Sequence, residues 1–366
     1  MNIITAKAMR TYLQELLKSN GTNQKLIAKQ IGISDSYFSK FINGKEIAFW
    51  MARKIIQMID KKNEATLLKL YVSEGIKKNN YAAALEYFYS KQEYEFVEDL
   101  ISLNKDRGPY FAELSNVYSF VLESRFTYEK LESIEKLKLI EAEHIESKIV
   151  LEFIQMYTYF LNRNFEITLY RIELIKNLIE KLNDQFLQTS FEARIDEILA
   201  NIYLKQNKNV KKARVIAKKI LTRDYSENHN MTAYHTLGLS YFLESYEKSL
   251  YYYQMMLDLM EKYNDRDADL IENKMEIAIL QHYWNQKLDE EYNVNDFTQA
   301  LLINKGLENF YSDSKLRKYA MFLDGMKEKS EKKLLLSIHY FEKDYEKFRA
   351  TFPKKELMKL DFAYTL

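Results

Sequence analysis

The sequence predicts an all-α protein with a small N-terminal helical domain, a series of helical hairpins that form an α-solenoid, and a C-terminal helical cap. Helix breakers are scarce, because the 366 residues include only two prolines and eight glycines. Apolar residues recur at helical spacing in segments that short polar turns separate roughly every twenty residues. Basic residues concentrate at the N-terminus, which sets the first segment apart from the rest.

The charge distribution supports a division into three parts. Residues 1–62 hold nine Lys and two Arg against two Asp and two Glu, a net charge of +7, whereas the rest of the chain carries −6. A basic module on a mildly acidic body is typical of a protein that binds a polyanion at one end. We therefore predict a DNA-binding domain at 1–62, repeats at 63–292 and a C-terminal cap at 293–366.

The N-terminal segment carries the spacing of a helix-turn-helix. We expect four helices here, at residues 5–18, from the Thr22 or Asn23 cap to Ile31, from the Ser34 cap to Ile42, and at 48–59. The pattern needs a small residue in the first helix of the motif and a glycine four residues later, and Ala28 and Gly32 supply them. The apolar positions that hold the two helices together are filled by Ile27, Ile31, Ile33, Phe38 and Phe41. The alternative is a plain helical hairpin within a larger α-helical domain.

The second helix of this motif is the predicted recognition helix, and its partner is double-stranded operator DNA. Its outward residues and its two flanking positions are Ser34, Asp35, Ser36, Tyr37, Ser39, Lys40 and Asn43. Asn43 has the groups to pair with an adenine edge, and Lys40 can reach guanine or phosphate. Gln24, Lys25 and Lys45 are expected to contact the phosphate backbone. Since the helix lacks arginine, one copy should read DNA weakly, and we expect a dimer on two half-sites.

The clearest repeat is Thr232–Leu257, which resembles a tetratricopeptide repeat. Its marker residues in the first and second helices are Tyr234, Leu237, Gly238, Tyr241, Ser249, Tyr253 and Met256. A small residue at Gly238 lets the two helices approach closely. Arg194–Leu221 is a weaker copy, marked by Leu199, Ala200, Tyr203, Ala213 and Ala217. Tyr159 and Tyr283 indicate further degenerate units, and the apolar segment 332–366 is expected to seal the last repeat or to pair with another subunit.

A helix-turn-helix followed by degenerate tetratricopeptide-like repeats resembles the peptide-sensing regulators of Gram-positive bacteria and their phages, the RRNPP family. Within that family, the length and the segment AYHTLGLSYFLESYEKSL are most similar to the arbitrium receptors of Bacillus phages. The resemblance implies a cytoplasmic homodimer, joined through its C-terminal region. It also implies that a short re-imported signalling peptide binds in the repeat groove and changes DNA binding, and so controls lysis and lysogeny.

Tetratricopeptide repeats present fixed positions of each first helix to the groove. On the weaker repeat these positions fall on Arg194, Glu197, Asn201 and Lys205, and on the clearer repeat they fall on Thr232, His235, Thr236, Leu239 and Phe242. An amide such as Asn201 can clamp a peptide backbone, because it donates and accepts at once. Lys205 or Arg194 can hold a terminal carboxylate. The resemblance implies a basic peptide, for which Glu197 or Asp361 can serve as the acidic partner. For each residue, a solvated or intra-repeat contact is the alternative.

Several other classes of function are disfavoured by the sequence. With no cysteine, disulfides, thiolate metal sites and cysteine nucleophiles are excluded. The five histidines are scattered, and we find no P-loop, so we predict neither an enzyme, nor a cofactor, nor a metal site. No apolar run reaches the roughly 20 residues of a membrane span, and the N-terminus lacks a signal-peptide core. The competing function is a repeat scaffold that sequesters another regulator.

Overall fold

The computed structural model describes residues 5–73, 75–124, 132–206, 209–223, 225–262 and 267–363. Within these ranges every regular element is a helix and no strand occurs. The predicted all-α fold is therefore confirmed. The chain divides into two compact units, Met1–Glu192 and Ala193–Leu366. The domain boundaries predicted at residues 62 and 292 stay predictions.

The first unit begins with four short helices and continues as longer helices joined by tight turns. Its helices are α1 Ala6–Ser19, α2 Gln24–Ile31, α3 Asp35–Ile42, α4 Phe49–Asp60, α5 Glu64–Ser73, α6 Lys78–Ser90, α7 Tyr94–Asn104, α8 Pro109–Ser124, α9 Glu132–Leu137, α10 Ile145–Leu161 and α11 Phe165–Ile179, and α12 Gln185–Lys205 begins in this unit. A 3₁₀ turn, Lys61–Asn63, is the only connection between α4 and α5. The four predicted N-terminal helices therefore form at nearly the expected positions.

The second unit continues with helical hairpins and ends in two helices joined by a short turn. Its helices are α13 Val210–Arg223, α14 Glu227–Tyr241, α15 Tyr246–Met260, α16 Asp267–Tyr283, α17 Asp296–Leu302, α18 Arg317–Lys327, α19 Glu331–Lys343 and α20 Thr351–Ala363. Short 3₁₀ turns lie at Glu290–Tyr292 and Glu308–Phe310. Side-chain caps from Ser226, Ser245 and Ser330 start α14, α15 and α19 by accepting the backbone N–H three residues on.

The hairpin of α14 and α15 has the close helix contact that the sequence predicted. A Cβ on Gly238 would lie 2.8 Å from Cδ1 of Tyr253, a separation that real Cβ atoms do not tolerate. The Tyr253 ring is fully buried, and Ser249 Oγ donates to the Gly238 carbonyl oxygen at 2.8 Å. Glycine is therefore required at this crossing for steric reasons and not for an unusual backbone angle.

Candidate functional site

The turn between α2 and α3 is built by three local features. The Asn23 side chain accepts from the Leu26 N–H at 2.8 Å and starts α2. Gly32 ends that helix in the left-handed region, with φ at 81°. Ser34 then starts α3 by accepting from the Tyr37 N–H. Two eight-residue helices are thus joined by a three-residue turn, the local geometry expected from the sequence.

The apolar positions of the motif form the core beneath this turn. Ile27, Ala28, Phe38 and Phe41 are buried, and the remaining two isoleucines of the pattern are half-buried. Burial of these side chains leaves the opposite face of α3 toward solvent.

The predicted DNA contacts lie on the solvent-facing side of α3, on the residues that flank α3, and on the first turn of α2. Ser39 is half-buried, and the others are exposed: Gln24, Lys25, Ser34, Asp35, Ser36, Tyr37, Lys40, Asn43 and Lys45. The Lys40 ammonium lies 4.7 Å from the centre of the Tyr37 ring, whose side chain is 42% exposed. Asn43 donates to the Ser39 hydroxyl at 3.1 Å. These interactions are local to the helix. Lys25 and Lys45, which are predicted to contact the DNA phosphates, remain on the surface.

In the second unit, α12 and α14 bring several of the predicted groove residues together. The Thr232 hydroxyl donates to Oε1 of Glu197 at 2.7 Å, and His229 Nε2 lies 3.7 Å from Oε2. Asn201 donates to the Glu197 carbonyl oxygen at 3.1 Å. The neighbouring carboxylate, Asp196, belongs to a different contact, since Lys219 and Arg223 of α13 bind it. Among the described residues, Glu197 contacts no lysine or arginine side chain.

His235 joins a largely buried ionic cluster that extends to the turn between α19 and α20. Its Nε2 lies 3.3 Å from Oε2 of Glu276, and the Tyr253 hydroxyl donates to the same oxygen at 3.0 Å. The Arg349 guanidinium bonds to the other oxygen of Glu276, and it binds Glu346 at 2.6 Å. Lys318 in turn contacts Glu346 at 2.8 Å and Asp344 at 2.7 Å. Alternating charges therefore satisfy one another in the interior.

The pKa values follow from this packing. Burial lowers the pKa of His235, and the nearby Glu276 only partly opposes that effect. Burial on its own would raise the pKa of Glu276, but Arg349 and His235 outweigh it and hold the pKa well below its usual range. For the same reason, Arg349 and Lys318 bring the pKa of Glu346 to about 2 despite its burial.

The remaining predicted groove residues occupy different environments. Arg194 is buried, and Lys205 is half-buried with its backbone carbonyl accepting from the Phe348 N–H at 3.0 Å. Thr236 is 1% exposed. Leu239 and Phe242 lie in the hydrophobic core, where Phe242 stacks on Phe352 with ring centres 4.3 Å apart.

Core packing changes which residues can serve as peptide contacts. Leu239 is buried in the hydrophobic core, and Phe242 packs against Phe352 of α20. Neither side chain is available to a peptide, so we do not retain them as contacts. The side chain of Asp361 lies outside the described residues.

Three residues of this region were not found from the sequence. His229 stands one turn before Thr232, and the repeat pattern did not mark its position. Glu276 lies on α16, the first helix after the α14–α15 hairpin, so an extended repeat alignment could have flagged it. Arg349 is 73 residues from Glu276 and follows α19 in a non-repetitive part of the chain, and no sequence signal pointed to it.

A group of carboxylates outside this region could be mistaken for a metal site. Oxygen atoms of Glu308, Asp324 and Glu328 lie within 4.8 Å of one another. The Tyr311 hydroxyl and the Leu307 N–H donate to Asp324, and Lys333 binds Glu328. Protein donors thus stabilise these charges, and the cluster supports no metal proposal. Among the described helices, none is long and apolar enough to span a membrane.

Two solved structures share this fold. A selenomethionine form of phAimR matches with a TM-score of 0.70 at 17% identity, covering 97% of this chain and 99% of that one. The ligand-bound structure of phAimR matches with a TM-score of 0.66 at 19% identity, covering 86% and 98%. The chain accordingly shares the helical-repeat fold of these two structures, and the predicted α-solenoid is confirmed.

The sequence comparison identifies the family. Residues 64–359 match the family described as AimR transcriptional regulator-like. An uncharacterized protein of Bacillus anthracis is 26% identical over 263 residues, which is 66% of this chain and 94% of that protein. The chain belongs to the AimR transcriptional regulator-like family, a family of peptide-binding regulators. The resemblance to arbitrium receptors is thereby confirmed.

Proposed function

We propose that the chain is a peptide-responsive, DNA-binding transcription regulator that controls phage lysis and lysogeny. The observation that carries the proposal is the combination of an exposed α3 face at the N-terminus with a family match that begins at residue 64. The two regions supply separate sites, so regulation is a coupling between peptide binding and DNA binding.

The DNA site is the solvent-facing side of α3 with its flanking lysines. Polar and basic side chains project from a helix whose other face is fixed in the core, as major-groove recognition requires. Lys40 and Lys45 provide charge for phosphate contact, and Asn43 stands at the end of α3. Two heads in a homodimer, joined through residues 293–366, would combine two weak half-site contacts.

The peptide site is the polar row formed by α12 and α14. Its proposed members are Arg194, Glu197, Asn201, Lys205, Thr232 and His235. Glu197 is the best-supported acidic contact, because among the described residues no lysine or arginine side chain binds its carboxylate. A basic peptide side chain placed there would gain a charge-assisted hydrogen bond. Asp361 and Thr236 remain further candidates.

A gel shift tests the proposal directly. Labelled DNA flanking the native gene is titrated with full-length protein, with and without the short peptide encoded beside the gene. We expect binding in the nanomolar to micromolar range that the peptide changes by about fivefold or more. Glu197→Gln should abolish the peptide response while leaving DNA binding intact, whereas the exposed Glu180→Gln should behave as wild type.

Charge reversal separates this function from a repeat scaffold that sequesters another regulator. The double change Lys40→Glu and Lys45→Glu should weaken DNA binding and reduce its salt dependence. DNA retention unaffected by that change would favour the scaffold, with the peptide or a protein as the ligand of the repeats.

A further inference from the structure

We define the DNA head as residues 5–60. Within it, the segment between α3 and α4, residues 43–48, is held by side chains from α5 and α6. The Tyr71 hydroxyl of α5 donates to the Ile47 carbonyl oxygen at 2.7 Å and accepts from the Ile47 N–H at 3.0 Å. Both residues are 4% exposed, so the exchange takes place away from water. One side chain thus satisfies both backbone groups of a residue in the segment between α3 and α4.

Asn80 of α6 completes this attachment. The cap residue of α4, Ala48, has no side-chain acceptor, so the first N–H groups of α4 need a partner from elsewhere. Asn80 Oδ1 accepts from the Phe49 N–H at 2.9 Å, and its Nδ2 donates to the Ile47 carbonyl oxygen at 2.8 Å. The same amide also donates to Glu46. The last helix of the head is therefore capped by a residue of the following hairpin.

A buried ion pair adds a third attachment. Arg53 of α4 binds Glu64 of α5 at 2.7 Å, and both side chains are at most 10% exposed. Gln57 and the Tyr87 hydroxyl donate to the same carboxylate, at 2.9 Å and 3.0 Å. Burial would raise the pKa of Glu64, but Arg53 keeps it below its usual value, so the pair stays ionised. Loss of either partner would strand a buried charge.

The first turn of α12 packs against the same part of α4. The Phe186 ring lies 5.5 Å from the Phe49 ring, and the Arg53 guanidinium lies 5.5 Å from the Phe186 ring centre. Ser190, one turn further, donates to the buried Glu86 of α6 at 2.8 Å.

We propose that Tyr71, Asn80 and Glu64 are positioning residues that fix the orientation of the recognition helix relative to α5 and α6. The head is then not a module on a flexible tether. It moves together with α5, α6 and the first turn of α12, so any reorientation of these elements changes where the recognition helix lies. This inference deepens the proposed function and rests on it for the DNA readout. Together the three residues form the head clamp.

Pulsed electron–electron double resonance, which measures the distance between two spin labels, tests the clamp on the full chain without any ligand. The protein has no cysteine, so Lys29→Cys and Lys148→Cys, both exposed positions of the first unit, accept spin labels uniquely. The labelled protein is mixed with an excess of unlabelled protein, so that a homodimer contributes only distances within one protomer. With the clamp intact we then expect one narrow distance distribution. Tyr71→Phe with Asn80→Ala should broaden it, because the segment between α3 and α4 loses its partners.

The matched control removes the same chemical groups elsewhere in the unit. Tyr81→Phe deletes a buried hydroxyl that bonds Ser115, and Asn104→Ala deletes a buried amide that bonds the Leu100 carbonyl oxygen. This pair should leave the distribution narrow. Should the clamp double variant fail to fold, Tyr71→Phe alone provides the comparison. A clamp variant whose distribution matches wild type would overturn the inference.

A DNA-binding measurement distinguishes failure of this inference from failure of the proposed function. Binding is measured with a labelled duplex of the native flanking region that is long enough for two heads. Heads released from a preset orientation should bind roughly tenfold more weakly, since they lose the advantage of a fixed spacing. Retained affinity in a variant with a broadened distribution would overturn the positioning role. If wild type binds no DNA, the proposed function fails, and the distance distributions still decide whether the clamp orients the head.

Discussion

Removing the charge of Glu276 should be among the most destabilising single changes in the second unit. In the native protein this carboxylate contacts Arg349, the Tyr253 hydroxyl at 3.0 Å and His235 Nε2 at 3.3 Å. Glu276→Gln keeps the shape but leaves the buried Arg349 with Glu346 as its carboxylate partner. Breaking a buried ion pair costs about 3–5 kcal/mol. Since Glu346 and the new amide retain part of the interaction, we expect a loss of roughly 3 kcal/mol in the free energy of unfolding.

The same helix offers a matched control. Glu272 lies one turn earlier, is largely exposed, and reaches Lys315 only at 3.4 Å. Glu272→Gln should change the free energy of unfolding by less than about 0.5 kcal/mol, as exposed pairs do. Thermal unfolding of the two variants at pH 7 should differ by roughly 6–12 °C, at about 2–4 °C per kcal/mol for a unit of this size.

The pH dependence supplies the test of mechanism. Because the pKa of Glu276 in the folded protein lies below its ordinary value of 4.5, its stabilisation is complete above pH 4.5 and declines as the pH falls. The gap between wild type and Glu276→Gln should therefore narrow in acid. Equal destabilisation by the two glutamine variants, or a gap that stays constant down to pH 3, would refute the reasoning.

Three further changes give distinct outcomes. Gly238→Ala should cost about 1–2 kcal/mol because the added methyl meets the Tyr253 ring, and urea titration in a Tyr253→Ala background should show that cost disappear. Gly32→Ala places a side chain at φ 81° in open space, so we expect a loss of about 1 kcal/mol from backbone strain alone; unchanged stability by urea titration would contradict it. Lys40→Glu with Lys45→Glu should reduce the slope of log affinity against log salt by about 2 or more, and an unaltered slope in fluorescence anisotropy would exclude these lysines from phosphate contact.

Turns, helix caps and close helix crossings were predictable from the sequence, because each depends on a residue type with a strong local preference. The Gly32 turn and the Ser34 cap depend on a few neighbouring residues and on backbone preferences, so their spacing was sufficient. Gly238 was identified because a repeat places a small residue where two helices cross. Each of these depends on short-range geometry that spacing alone reveals.

Long-range packing was not predictable in the same way. Leu239 and Phe242 occupy groove positions of a regular repeat, yet Phe242 stacks on Phe352, which lies over a hundred residues later in the chain. The pairing of Glu276 with Arg349 likewise joins an α16 residue to a turn near the C-terminus. A single sequence shows which side chains are charged or apolar, but it does not show which distant partner satisfies them.

The contact of Gly238 with Tyr253 also bears on how the second unit can flex. The Tyr253 ring packs directly against the backbone of α14 at Gly238, with no free space between them. α14 and α15 therefore cannot slide past each other unless this ring leaves its position. Bending must instead occur at the seams between hairpins, where residues such as Thr232 and Glu197 meet through hydrogen bonds that can be exchanged. We therefore expect the hairpin to behave as a stiff segment, and the polar contact beside it is where the proposed peptide would act.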